Sequence, residues 1–366
     1  MTRREFVTCT VTATAILAAP ATGCTVADQP TRPGPEPVPG VDPALARLLA
    51  LAALAPSSHN VQPWRVRVTG ARHLSVAIDP ARRLPAVDPD GREMILSVGC
   101  FVENLSQAAA AEGLALEVTC DATLPDAPEL ARLRLVPGPG VAGGPERVLR
   151  RRTLRTGHRP DPLAAGDLAA LLAVAGPGTA FFPRASPEGR RLAEATVEGM
   201  RQQTWRDAAQ RELSSWIRFR DEEARRRADG LTVASMEAKG LAGFVMGRFF
   251  DAGSVMGKSF REKGIEQCAR QSVEGAGFLV LSSEGATVPA LLESGRRFAR
   301  MALSVRERAI AAHPMSQALE EAPWRDTLAG ELGLPGPVQF VVRVGYVDHY
   351  PEPVSPRRPL TAFVTT

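Results

Sequence analysis

Lysine is nearly missing from this 366-residue chain. Only Lys239, Lys258 and Lys263 occur, so arginine carries almost all of the positive charge. Aromatic residues are scarce as well, at 5%. The 44 basic side chains barely outnumber the 40 acidic ones, and the formal net charge is +4. So small an excess, with no basic stripe interleaved with aromatics, argues against nucleic acid as a partner. Cysteine is sparse too. Cys9 and Cys24 fall near the N-terminus, and Cys100, Cys120 and Cys268 form no CxxC pair. That spacing excludes a structural zinc site and a disulfide framework, and no metal site is expected. Neither a Ser-His-Asp hydrolase signature nor an HExxH motif is present. There is no uninterrupted apolar run of the ~18–20 residues that a membrane-crossing helix needs. The hydrophobic content of 44% and charged content of 23% instead describe a chain able to fill a sizeable core. Its length suits roughly two ordinary domains or one duplicated fold.

The N-terminus reads Thr2-Arg3-Arg4-Glu5-Phe6-Val7, an arginine pair followed by one residue, Phe and an apolar residue. It resembles the twin-arginine export signal. Residues 7–20 are moderately apolar and too short to span a bilayer stably. Ala19-Pro20-Ala21 fits a small-x-small cleavage site. Ala21-Thr22-Gly23-Cys24 is a degenerate lipobox, with Ala where a lipoprotein usually has Leu, and makes Cys24 a candidate lipid anchor. The expectation is a signal peptide over 1–24, read by the twin-arginine export machinery. The chain would then be exported across the cytoplasmic membrane to the periplasm or cell envelope. Residues 25–42 are proline-rich and read as a linker.

In the body, Asp42-Pro43 can cap a helix that ends at Ala55-Pro56. Strands are expected over 64–69, 74–78 and 114–119, with a long, mainly buried helix over 93–111. A second start comes near Pro145. There the pattern predicts a basic helix or helix entry over 146–155, a helix over 161–174 and a long charged helix from Gly189 to about Arg227. Residues 240–260 are rich in Gly and Met, either a lid or a buried irregular helix. A strand over 277–281, a helix over 290–312 and a strand over 338–344 complete the series. The segments 97–105 and 293–301 look alike, each a helix with Gly in its first turns, and Gly99 and Gly295 lie 196 residues apart. That similarity points to duplication of a long unit, not to a short tandem repeat.

Three segments carry chemistry. Ala55-Pro56-Ser57-Ser58-His59-Asn60-Val61-Gln62-Pro63-Trp64 sets hydroxyl, imidazole and amide groups on a turn stiffened by two prolines. Such a turn can hold a polar planar ligand without reorganisation; it can equally be a capped loop that satisfies its own backbone. Arg150-Arg151-Arg152-Thr153-Leu154-Arg155 gathers forked guanidinium donors around one hydroxyl, which suits a phosphate dianion, or else forms a solvated basic helix face. Ser355-Pro356-Arg357-Arg358-Pro359 is a candidate second arm of the same anion site.

Together these motifs resemble the nitroreductase superfamily of flavin enzymes, and their order resembles the Acg-type branch, in which two nitroreductase-like units are fused. The resemblance covers roughly residues 43–360. It implies an α+β, nitroreductase-like fold: mixed central sheets flanked by helices, the units forming an intramolecular pseudo-dimer. The first unit would span 43–144 and the second 145–366, with a helical or lid insertion near 201–260 that has no counterpart in the family pattern. It also implies FMN. Arg151, Arg152, Thr153 and Arg155 would lie near its phosphate and pyrimidine side, reinforced by Arg357 or Arg358. Pro56, Ser57, Ser58, Asn60 and Gln62 would line the ring and ribityl chain, and Pro314, Met315 and Ser316 would lie over the ring. The serine turn sits in the first unit and the arginine segment in the second, so a fused chain would keep one composite flavin site. The function implied is that of an exported FMN-dependent oxidoreductase passing hydride through flavin N5 to a nitro, quinone or enone acceptor. NAD(P)H is the candidate electron donor. The alternative is a flavin-binding or FMN-sequestering protein with little or no reductase activity.

Overall fold

The computed structural model describes residues 36–366. The export signal, the cleavage site and Cys24 lie outside the described residues, as does most of the proline-rich linker. The first helix among the described residues is α1 (Pro43–Ala52), where the Asp42 carboxylate accepts the N–H groups of Ala44 and Leu45 and Pro43 takes the first position. Its Leu45, Leu48, Leu49 and Ala52 stripe is buried. The chain then forms β1 (Trp64–Gly70) and β2 (His73–Ile78), crosses as α2 (Arg92–Ala111), and returns as β3 (Leu114–Thr119) and β4 (Ala131–Pro137). These four strands pair antiparallel in the order β1-β2-β4-β3. Buried and exposed residues alternate in β1, as expected for a sheet with one covered face. Among the described residues α2 alone has the length and apolarity of a membrane-crossing helix, and most of it is buried inside the protein.

The second half begins with α3 (Gly144–Arg150) and α4 (Ala165–Ala175). Of the basic helix or helix entry expected over 146–155, only the part up to Arg150 is helical, because Arg151 is extended (φ −62°, ψ 131°) and its guanidinium is buried, not solvated. After β5 (Thr179–Pro183) come α5 (Pro187–Trp205), α6 (Asp207–Ser215), β6 (Ile217–Arg218), α7 (Asp221–Arg227) and β7 (Leu231–Thr232). The single long helix expected to run from 189 to about 227 is therefore broken at Arg206. There the backbone is extended, and the guanidinium reaches out to the Ala86 carbonyl and Glu321. The insertion continues as α8 (Gly240–Phe249), α9 (Ala252–Met256) and α10 (Lys258–Ser272).

Next come β8 (Gly277–Ser282), α11 (Val288–Ser304), β9 (Ile310–Pro314), α12 (Trp324–Glu331) and β10 (Val338–Tyr346). The second sheet is antiparallel, in the order β5-β8-β10-β9. The helix expected over 290–312 ends at Ser304. Ala309 turns the chain with φ +51°, and the apolar run Ile310-Ala311-Ala312 pairs with β10 as a strand. Last, β11 (Val364–Thr365) leaves the second half altogether and adds parallel to β1, at the edge of the first sheet. One hydrophobic core runs through both halves, with α2 and α11 packed against each other along its middle.

Candidate functional site

The turn between α1 and β1 holds a costly backbone. His59, Asn60 and Gln62 all have positive φ, at 48°, 53° and 54°, a region that non-glycine residues occupy only when their surroundings force it. The forcing contacts come from three directions. From within the turn, Ser57 Oγ accepts the Gln62 N–H at 3.0 Å. From the insertion, Asn60 Nδ2 donates to the Gly230 carbonyl at 3.1 Å and Gln62 Nε2 to that of Ala228 at 2.9 Å. From the C-terminal tail, Arg357 donates to Asn60 Oδ1 at 3.0 Å and to the carbonyls of Leu54 and Ala55 at 3.0 and 3.2 Å. The Arg358 N–H donates to Gln62 Oε1 at 2.9 Å. The turn is thus a rigid platform assembled from both halves of the chain.

Facing it is the arginine segment that follows α3. Pro56, Ser57, His59 and Asn60 form one wall of a cleft of about 90 Å³, and Arg151, Arg152, Thr153 and Arg155 form the other. Leu231 and Ser235 of the insertion and Ser355 and Arg357 of the tail close the ends. Arg151 is buried, with only long contacts of 3.4 Å to Thr153 Oγ1 and 3.5 Å to the Leu54 carbonyl. Among the described residues, no carboxylate lies within ion-pair distance of Arg151 or Arg155. Burial works against the charged form of both guanidiniums and lowers their pKa. Glu237 offsets the Arg155 charge in part, but two desolvated guanidiniums outside any ion pair, beside a hydroxyl and a stiff turn, form a place for an anion.

Pro56, Ser57, Asn60, Arg151, Arg152, Thr153, Arg155 and Arg357 of the expected site residues are brought together in this cleft. Others are directed elsewhere. Ser58 donates its hydroxyl to Glu93. Gln62 is fully buried and spends its amide on the insertion and the tail. Arg358 faces away from Arg357: it donates to the Gln62 carbonyl at 2.9 Å and lies 3.6 Å from the Asp79 carboxylate. Arg357 itself acts on the turn, through Asn60 and the carbonyls. Pro314 ends β9, Met315 is buried, and Ser316 Oγ accepts the Val341 N–H at 3.3 Å; none of the three lines the cleft.

Two contributors escaped the sequence reading. Glu237, also at positive φ (+61°), accepts the Arg155 N–H at 3.1 Å and the Thr156 hydroxyl at 2.6 Å, and pairs with Arg152 at 3.7 Å. It comes from the insertion, where nothing in the local sequence marks it. His59, in the same turn as Ser57 and Asn60, also lines the cleft. Burial, aided by the Arg155 charge and opposed by Glu93, drives its pKa down to about 4, so the ring is neutral at physiological pH. Asp229 ties the insertion to the first half: its carboxylate accepts from Arg218 at 2.8 and 3.0 Å and from Arg82 at 2.9 Å.

The fold and site define a class: a mixed five-stranded sheet and an antiparallel four-stranded one around a central helix pair, with an arginine-lined cleft built from both halves of the described chain. In sequence the chain is similar to several proteins named as nitroreductases. Rv3131 of Mycobacterium tuberculosis, named as an NAD(P)H nitroreductase, is 29% identical over 87% of this chain and 90% of its own. PigM of Serratia sp., named likewise, is 28% identical over 88% of this chain and 93% of its own. The M. tuberculosis protein acg, also named as an NAD(P)H nitroreductase, is 26% identical over 85% and 92%. The chain is a relative of these proteins over most of its length. No protein-family model matches it. The crystal structure of the FMN-dependent nitroreductase NfnB from Mycobacterium smegmatis with NADPH superposes with a TM-score of 0.34 at 17% identity, over 60% of this chain and 96% of that one. At that distance the likeness bears on neither the fold nor the site.

Proposed function

We propose that the chain is an FMN-dependent oxidoreductase of the nitroreductase type, built as a fused pseudo-dimer with one flavin site. The observation that carries the reading is the pair of desolvated guanidiniums of Arg151 and Arg155, neither in an ion pair among the described residues, set across a cleft from the strained Ser57–Asn60 turn. The donor chemistry fits the phosphate end of FMN: two forked cations and the Thr153 hydroxyl. Arg151, Thr153 and Arg155 would hold that phosphate, and Pro56, Ser57 and Asn60 would face the remainder. When bound, the flavin supplies two-electron hydride chemistry between a reduced donor and an acceptor. The chain's own contribution is orientation and electrostatics. A cation beside the pyrimidine edge favours added negative charge there, and whichever of Arg151 and Arg155 is not on the phosphate would supply it. Glu237 holds the Arg155 backbone and the Arg152 side chain, and Arg357 holds the turn, so both walls stay fixed without moving at the moment of reaction.

The names of the relatives support NAD(P)H as donor and a small molecule as acceptor; nitro, quinone and enone groups are the acceptors proposed. Export is proposed on the N-terminal motif alone. It places a constraint on the donor, because NAD(P)H is scarce outside the cytoplasm. The test is the visible spectrum of the natively purified chain, with the released cofactor identified and counted. About one FMN per chain, bleached by NADPH and reoxidised by a nitroaromatic or quinone, is the expected result. Bound FMN that no donor reduces would transfer the assignment to flavin sequestration. A colourless protein that refuses added FMN would end both readings.

A further inference from the structure

The insertion carries a helix turned inside out. An amphipathic helix normally buries its large apolar residues and exposes its small or polar ones. In α8 the side chains of Leu241, Phe244 and Phe249 are 78%, 64% and 69% exposed, and no residue of the helix is buried. Glycine occupies the opposite side: a Cβ on Gly243 would lie 2.5 Å from the Ala238 carbonyl oxygen. At helical spacing Leu241, Phe244 and Arg248 share one face, with Phe249 beside them. Between residues 238 and 250 the only charged side chains are Lys239 and Arg248. Neither makes an ion pair among the described residues. The helix is held at its far end, where Arg220 donates to the Gly247 carbonyl and Met246 and Phe250 pack on the Phe219–Val255 cluster. The apolar face is therefore presented on a secured element.

Bulky apolar side chains flanked by unpaired cations, with no acidic group between them, match the interface of an anionic bilayer. There the rings enter the acyl boundary while Lys and Arg meet phosphate headgroups. We propose that α8 is a membrane-docking helix, seating the chain on anionic lipid through Leu241, Phe244 and Phe249 with Lys239 and Arg248 as its electrostatic partners. A soluble partner would be expected to offer carboxylates to those cations. A second copy of the chain would bring Lys239 and Arg248 against their own kind.

The test is co-sedimentation of the full chain with vesicles of phosphatidylcholine and phosphatidylglycerol at 3:1, and with pure phosphatidylcholine, for the wild type, F244S/F249S and K239E/R248E. All carry the same N-terminus, so any lipid affinity of that segment cancels. The expected result is binding to the anionic vesicles, much weaker binding to the neutral ones, and at least about a tenfold loss in each variant. Because the substituted side chains are exposed, far-UV circular dichroism should be unchanged; should F244S/F249S misfold, K239E/R248E decides. Three results would overturn the proposal: no vesicle binding by the wild type, equal binding by both variants, or a concentration-dependent dimer that F244S/F249S abolishes while vesicles are ignored.

Discussion

Gly99 of α2 and Gly295 of α11 face each other at the crossing of the two central helices, and neither position has room for a methyl group. A Cβ on Gly99 would lie 2.2 Å from the Leu292 carbonyl oxygen and 2.9 Å from the Gly295 Cα. A Cβ on Gly295 would lie 2.1 Å from the Leu96 carbonyl oxygen and 3.0 Å from the Gly99 Cα. The contacts are reciprocal. Leu96 and Leu292 stand in the same relation to the crossing as the two glycines, with the same separation in sequence. That symmetry supports a fused pseudo-dimer, since an isologous contact is what a two-fold interface generates. Gly99→Ala and Gly295→Ala should each destabilise the chain by about 1–3 kcal/mol, because backbone, not a flexible side chain, must give way. Thermal unfolding checks this. The double variant should fall short of the sum of the singles, as both act on one contact. Unchanged melting temperatures would show that the helices slide apart freely.

Removing Arg151 and Arg155 together tests the anion cleft. A charge-assisted contact contributes about 1.5–3 kcal/mol, so R151A/R155A should weaken FMN binding by orders of magnitude. The readout is flavin content after purification and the Kd for added FMN. Retained flavin at wild-type stoichiometry would refute the phosphate assignment. R152A should have a smaller effect, since Arg152 already pairs with Glu237 and donates to the Glu352 carbonyl at 2.5 Å.

The pieces of this site were legible where local chemistry is self-contained. The Pro56-Ser57 turn, the Arg151–Arg155 segment and the glycine pair announce themselves by residue type and order. The long helix α2 and the strands β1, β2 and β3 follow from periodicity. Less legible was anything decided at a distance. Ile310-Ala311-Ala312 continues a helical pattern and becomes a strand only because β10 lies beside it. Arg357 and Arg358 are adjacent in sequence, but the tail directs one to Asn60 and the other to Gln62 and Asp79. Glu237 reaches Arg152 and Arg155 from the insertion, where nothing in the local sequence marks it. The last strand, β11, joins the first sheet across nearly the whole chain, a pairing no local window contains.

Asp229 joins the insertion to the first half, and its loss should be felt at the cleft. Its carboxylate is nearly buried between Arg218 and Arg82, and Gly230 beside it exchanges hydrogen bonds with Asn60. Asp229→Asn leaves the buried Arg218 guanidinium without a carboxylate partner, whereas Arg82 keeps Asp79 at 3.7 Å and the Val61 carbonyl at 2.7 Å. Breaking a buried pair in this way costs about 3–5 kcal/mol. The variant should unfold at lower denaturant concentration and, while still folded, lose FMN faster than wild type. Reduced stability with an unchanged flavin off-rate would separate the anchor from the site.

His158 sets up a pH dependence whose sign can be worked out. Its Nε2 lies 3.0 Å from the Leu154 carbonyl oxygen, so the neutral ring donates there, and the buried Nδ1 has no hydrogen-bond partner. Burial, reinforced by the nearby Arg343 charge, drives its pKa from the ordinary 6.5 down to about 3. The unfolded chain therefore takes up a proton below pH 6.5 while the folded chain does not. The contribution of the neutral ring is complete above pH 6.5 and is lost as pH falls toward 3, at up to about 1.4 kcal/mol per pH unit for one group. The total stability curve conceals this, because buried Asp88, raised to about 6 chiefly by burial and then by Glu93, pulls the opposite way between its unfolded value and 6. The difference between wild type and His158→Gln isolates it. The glutamine amide can still donate to the Leu154 carbonyl but does not titrate. Urea unfolding from pH 7.5 to pH 5 should show a difference that is level above pH 6.5 and then shifts steadily in favour of the variant. A difference that stays level throughout would mean that His158 takes up its proton in the folded chain as readily as in the unfolded one.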